Sequence, residues 1–200
     1  MGLPQSQAHY TVEDYMQWPD EIRCELIDGG IWDMSPAPTL EHQQLVSNLH
    51  VEIALLLREQ EKSGGGRPPC SVLESPVDVV LAFNTVVQPD LIVVCDPAKL
   101  ANRKNVQGAP DLVVEVLSPA TAAKDKREKR ALYERSGVPQ YLIVDPVSYY
   151  AELYTLQAGS YGVPQILGAE DALILAVAPG FGKTLAELFG WPVKVKVRER

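Results

Sequence analysis

The chain has 200 residues, 46% hydrophobic and 22% charged, enough for one substantial core, so a disordered or fibrous protein is excluded. Asp and Glu outnumber Lys and Arg by 26 to 18, and the net charge of −8 argues against a broad electrostatic grip on nucleic-acid phosphates. The basic residues are uneven, however: Lys124, Lys126, Arg127, Lys129 and Arg130 crowd together, and Lys194, Lys196, Arg198 and Arg200 close the chain, so a local basic surface stays open.

Cys24, Cys70 and Cys95 lie far apart and form no C-x-x-C pair that would hold zinc or a redox disulfide, a pattern that suits a reducing cytoplasm. The opening MGLPQSQAHY lacks a basic start followed by an apolar stretch, and the longest uncharged apolar run, 172 to 182, is too short to cross a bilayer. Neither secretion nor membrane insertion is expected.

In chain order, Thr11 to Asp14 reads as a capping box opening a short helix that Pro19 ends. Segments 23 to 27 and 31 to 34 flank Asp28-Gly29-Gly30, whose glycines supply the positive φ of a tight hairpin. Leu45, Val46, Leu49, Ile53, Leu56 and Leu57 recur every three or four residues and predict a long helix over 39 to 61. After the breaker SGGGRPP, three strands are predicted over 70 to 81, 86 to 95 and 111 to 117; the runs LIVV and LVVEVL in the last two suit central strands buried on both faces. Ser118-Pro119 opens a second helix to about Arg135, stopped by Gly137-Val138-Pro139. Tyr141 to Asp145 reads as a buried strand, Tyr149 to Leu156 as an edge strand, and the tail beyond Pro192 as an amphipathic strand. Gly180 to Thr184 imitates the end of a phosphate-binding loop, but Val177 replaces its earlier glycine and no βαβ unit follows.

Pro89-Asp90 enters the LIVV strand, and Glu115 lies inside the next apolar strand. Carboxylates so placed are costly to desolvate unless paired, hydrogen-bonded or bound to a metal, and two on neighbouring strands repel each other. Mg²⁺ accepts one or two carboxylates while keeping waters and phosphate oxygens, which is the equipment phosphodiester hydrolysis needs. On the second helix Asp125, Lys129 and Tyr133 are spaced by four and share a face, from which Lys129 can point back at the acids, whereas Lys126 and Arg130 occupy an adjacent stripe. Bland readings stand beside these: a strand-end hydrogen bond for Asp90, a buried ion pair for Glu115, a solvated face for the helix lysines, and a surface pair with Arg23 for Glu25. His42 and His50 lie two turns apart on the first helix without a third metal ligand.

The segments CELIDGG, PDLIVVCD, APDLVVEVLSPATAAKDKREKRALYERSG and VPQYLIVDP resemble the Uma-two family of restriction-endonuclease-like nucleases in the PD-(D/E)xK superfamily, over roughly residues 10 to 190. The resemblance implies a single α/β domain with an αβββαβ core around a central mixed sheet, an N-terminal β-hairpin and extra C-terminal strands. It also implies a metal site at Asp90 and Glu115, with Glu25 as an additional acidic ligand and His42 as a weaker addition. The lysine expected two residues after the acid is Leu117 here, and the matching positive charge falls on Lys129.

The expected function is an Mg²⁺- or Mn²⁺-dependent endonuclease acting on nucleic acid, DNA foremost, in the cytoplasm, with Asp90, Glu115, Lys129 and Glu25 as its site; a homodimer suits a cutter of two strands. The alternative is a non-catalytic binding or assembly protein that keeps the fold, favoured by the acidic charge and by Leu117.

Overall fold

The structure, a computed structural model, describes residues 9–19, 21–34, 38–63, 69–119 and 121–193. The tail after 193 and the breaker at 64 to 68 lie outside these residues, and with them the expected terminal strand.

Helix α1 (Val12–Tyr15) starts at the Thr11 capping box but is shorter than expected. The hairpin pairs β1 (Cys24–Ile27) with β2 (Gly30–Asp33). Its two turn residues, Asp28 and Gly29, have φ of 54° and 79°, the doubly positive geometry that matches strand twist; Gly30 belongs to the strand. Helix α2 (Leu40–Lys62) begins at Thr39, whose hydroxyl accepts from the His42 amide.

The three strands expected next are in part five. The segment 70 to 81 divides into β3 (Ser71–Glu74) and β4 (Val79–Ala82), and 86 to 95 divides into β5 (Thr85–Val87) and β6 (Leu91–Val94). Both breaks contain a proline, Pro76 and Pro89, which has no N–H to donate to a ladder. The halves enter different sheets. Following them are β7 (Val106–Gln107), β8 (Leu112–Val116) and a helix of three consecutive pieces, Ala122–Lys124, the π-helical Asp125–Lys129 and Arg130–Arg135, together α3. The chain continues through β9 (Gln140–Asp145), β10 (Tyr150–Thr155), β11 (Gln165–Gly168) and α4 (Leu185–Phe189).

The fold is mixed α/β with two mixed sheets, not the one central sheet expected. The first runs β2-β1-β5-β4-β7, and the second β11-β10-β9-β8-β6-β3. β10 is therefore not an edge: β11 covers it, a strand of four residues whose first two, Gln165 and Ile166, are exposed and which is too short to show an alternating pattern. The Gly180–Thr184 segment ends at the N-cap of α4, where Thr184 and Glu187 form a capping box.

In the second sheet, Leu91, Val93, Leu112, Val114 and Val116 pack with Leu49 and Ile53 of α2. Ile92, Val94, Val113, Tyr141 and Ile143 pack on the other face with Leu132 and Tyr133 of α3. Strand alternation places Asp90 and Glu115 on the α3 side of that sheet.

The cysteine expectation is corrected as well. Ser71 pairs with Val94, so Cys70 and Cys95 are the next cross-strand pair and form a disulfide; Cys24 is free and buried. Sequence separation concealed an adjacency that antiparallel register creates. Among the described residues no helix is long and apolar enough to cross a membrane.

Candidate active site

β6 and β8 are antiparallel neighbours, with Leu91 opposite Val114, so the register brings Asp90 beside Glu115 at the end of the ladder. Asp90 Oδ2 accepts the Val116 amide at 2.7 Å and meets His42 Nε2 of α2 at 3.2 Å. Its strand-end hydrogen bond is thus real, yet the bond ties Asp90 to the very strand that carries Glu115.

Glu115 Oε1 receives two donors from α3, Lys129 Nζ at 2.8 Å and the Tyr133 hydroxyl at 2.9 Å. Lys129 Nζ also lies 2.9 Å from Glu25 Oε1 and 3.7 Å from Asp125 Oδ1. Glu25 projects from β1; its Oε1 accepts the Gln88 amide at 2.9 Å, and its Oε2 pairs with Lys124. Three elements that are distant in sequence, β1, β8 and α3, therefore meet at one ammonium group. Helix spacing had placed Asp125, Lys129 and Tyr133 on one face, and all three are buried there; a π-helical turn carries the first two, a distortion frequent at functional sites.

The electrostatics follow from burial and crowding. Burial would raise the Glu25 carboxyl, but Lys129 and Lys124 outweigh it and hold its pKa down to about 2. Burial opposes the charge on Lys129 too, yet Glu115, Glu25 and Asp125 keep it well above the ordinary lysine range. Glu115 moves the other way: burial raises it first, and Asp125, Asp90 and Glu25 add to the rise against the pull of Lys129. The cluster carries more carboxylates than ammonium groups, so Lys129 stays charged and Glu115 is the acid readiest to take a proton or a cation.

A pH consequence attaches to Glu25. Its folded-state pKa of about 2 lies below the ordinary value of 4.5, so its contribution to stability is full above about pH 4.5 and is lost as pH falls toward 2. Glu25→Gln is expected to flatten that acid limb of a plot of unfolding free energy against pH, measured by denaturant titration. An unchanged limb would show that Glu25 is not held by the two lysines in solution.

The donor set suits a hard divalent cation, since it offers carboxylate oxygens alone. Among the described residues, Asp90 Oδ1 and Glu115 Oε2 receive no hydrogen bond, and Asp125 Oδ1 is buried without one. Asp90 and Glu115 therefore fit the two-carboxylate pattern in which water completes the coordination. The expected three-carboxylate set is not assembled: no group of three or more His, Cys, Asp or Glu among the described residues is arranged to hold a metal ion. The reason lies in Glu25, both of whose oxygens face ammonium groups.

Asp125, Lys124 and Tyr133 are the members that sequence reasoning did not place in the site. The D-x3-K-x3-Y spacing signalled Asp125 and Tyr133; nothing signalled Lys124, which pairs across to a hairpin a hundred residues away. His50 lies elsewhere, 2.8 Å from Glu74, so the two histidines do not converge.

Residues 12–186 match the Uma2 family, described as "Putative restriction endonuclease". An uncharacterized protein from Synechocystis sp. is 32% identical over 148 residues, which is 71% of this chain and 72% of that protein. The chain also resembles the crystal structure of a putative nuclease belonging to DUF820 from Anabaena variabilis, with a TM-score of 0.73 at 17% identity, over 91% of this chain and 98% of that one. That likeness establishes the mixed α/β fold. The chain belongs to the Uma2 family.

Proposed function

We propose that this protein is an Mg²⁺- or Mn²⁺-dependent endonuclease that hydrolyses phosphodiester bonds of nucleic acid, and that α2, β3, β6, β8, α3 and β9 are its restriction-endonuclease-like αβββαβ core. The observation that carries the reading is the ammonium of Lys129, 2.8 Å from Glu115 and 2.9 Å from Glu25, beside two acids on adjacent strands. A structural ion pair would need one carboxylate for one lysine. Here several acids share one ammonium and leave oxygens over, an excess of negative charge that a cation relieves.

Asp90 and Glu115 are the residues that would hold the metal, whose chemistry is to polarise the phosphoryl group and to acidify a water. The chain's own groups set the stage for that. The Val116 amide and His42 orient Asp90, and the Tyr133 hydroxyl fixes one oxygen of Glu115. Glu115, Glu25 and Asp125 keep Lys129 protonated, and Glu25 helps to hold it beside Glu115, from where its charge steadies the negative charge that develops on phosphate oxygens. Lys129 thereby takes the part of the lysine absent at Leu117.

Incubation with end-labelled DNA and RNA tests the reading: cleavage is expected with Mg²⁺ or Mn²⁺, and none with Glu115→Gln. If the unmodified protein cuts neither polymer with either metal, the binding-protein alternative takes its place.

A further inference from the structure

The site has an aromatic neighbour that the chemistry above does not use. Among the described residues the large exposed aromatic side chains are Trp32, Phe83 and Tyr149, at 37%, 77% and 44% of full exposure. Phe83 sits in the turn between β4 and β5, and Tyr149 packs edge-on against Trp191 at 5.7 Å. Trp32 alone adjoins the acidic cluster. It is directly opposite Glu25 in the β1–β2 register and so shares that residue's face of the hairpin. Lys124 Nζ lies 5.5 Å from the centre of the Trp32 ring while it pairs with Glu25 Oε2. The chain of contacts from an exposed indole to the buried acids is thus Trp32, Lys124, Glu25, Lys129, Glu115.

Two further observations say what such a ring would do. Gly30, two residues before Trp32 on the same face of β2, has no side chain to cover the ring; a Cβ there would come within 3.8 Å of the indole nitrogen. And the cations at the site are already committed: Lys129 to Glu25 and Glu115, Lys124 to Glu25. In a protein of net charge −8, attraction to phosphates supplies little of the affinity, so a substrate needs another hold. Every base has a π-face, and stacking on an aromatic side chain holds it whatever its sequence. A base paired inside a duplex does not offer that face.

We infer that Trp32 is a stacking subsite for an unpaired base next to the scissile phosphate, which makes the substrate single-stranded nucleic acid or an unpaired stretch in a duplex. The inference rests on the nuclease reading for its position in the substrate, but not for its test.

The experiment measures binding by fluorescence anisotropy without divalent metal, using a short fluorescein-labelled oligothymidylate and the same strand annealed to its complement. The full-length protein is expected to bind the single strand more tightly than the duplex. Trp32→Ala is expected to weaken single-strand binding on the order of 10-fold with little change in its salt dependence, and Trp32→Phe to restore most of it. Circular dichroism of both variants checks that the edge strand is intact. Equal affinity of Trp32→Ala and the unmodified protein for the single strand, or tighter binding of the duplex, would overturn the inference. Cleavage that persists undiminished in Trp32→Ala would sink it while leaving the nuclease reading in place. Trp32-dependent binding without cleavage under Mg²⁺ or Mn²⁺ would do the reverse.

Discussion

Lys129→Ala is expected to destabilise the protein by about 3–5 kcal/mol at neutral pH, because removing one partner of a buried ion pair leaves the other charge without compensation. Here the loss strands Glu115 and Asp125, which face the same ammonium, while Glu25 keeps Lys124; Glu115 is already raised by burial and by its acidic neighbours. Denaturant unfolding reads the loss directly. The same substitution is expected to lower cleavage by about 10²-fold or more, the usual effect of removing a group that stabilises transition-state charge. Metal binding is expected to persist, since an ammonium is not a ligand.

Lys126→Ala separates these effects from a general loss of positive charge. Lys126 lies on the neighbouring stripe, a third exposed, and pairs with Glu152 at 3.0 Å and with the Tyr150 hydroxyl. Glu152 is buried but also accepts from the Tyr150 and Tyr154 hydroxyls, so it keeps partners when Lys126 is removed, and the substitution should change cleavage less and in a more salt-sensitive way. Equal losses of activity in the two variants would refute the assignment of Lys129 as the relocated lysine. So would a Lys129→Ala protein that still cuts while Leu117→Lys cuts better. Leu117 is buried in the apolar cluster on the same side of the sheet as Tyr133, so a lysine there would need the Lys129 carboxylates as partners.

The second large effect concerns metal. Mg²⁺ or Mn²⁺ is expected to raise the melting temperature, because a ligand that binds only the folded state stabilises it by about 2.7 kcal/mol at a hundred times Kd. For a chain of this size that corresponds to roughly 5–10 °C. Asp90→Asn and Glu115→Gln should each abolish the rise. Both change basal stability as well, Glu115→Gln by altering the partner of Lys129, so the quantity to compare is the metal-dependent difference within each variant. A full rise in both variants would remove Asp90 and Glu115 as ligands. A rise abolished in Glu25→Gln but kept in the other two would move the ligand role to Glu25, against the engagement of both its oxygens by lysines.

What the sequence by itself determined are the features with local causes. The Thr11 cap, the Asp28-Gly29 turn, the apolar stripe of α2 and the aliphatic runs of β6 and β8 each follow from interactions within a few residues, and each is where the pattern placed it. Asp90, Glu115 and Lys129 were legible for a related reason: a charged group within an apolar run is costly enough to need a partner, and helix spacing turned Lys129 and Asp125 the same way. Only the tertiary structure decided how strands were shared between two sheets. A proline in an apolar run shows that a ladder stops there, but not that the chain crosses to a different sheet, as it does after β3 and before β6. Register likewise decided the Cys70–Cys95 disulfide, the Lys124–Glu25 pair and the place of Trp32 beside it, because cross-strand neighbours carry no mark in the intervening sequence. Glu25 illustrates the division. Its spacing within ELIDG says that an acid stands on the hairpin, but its two oxygens are engaged by lysines from a helix about a hundred residues later, and long-range Coulomb pairing of that kind exists only once the chain has folded.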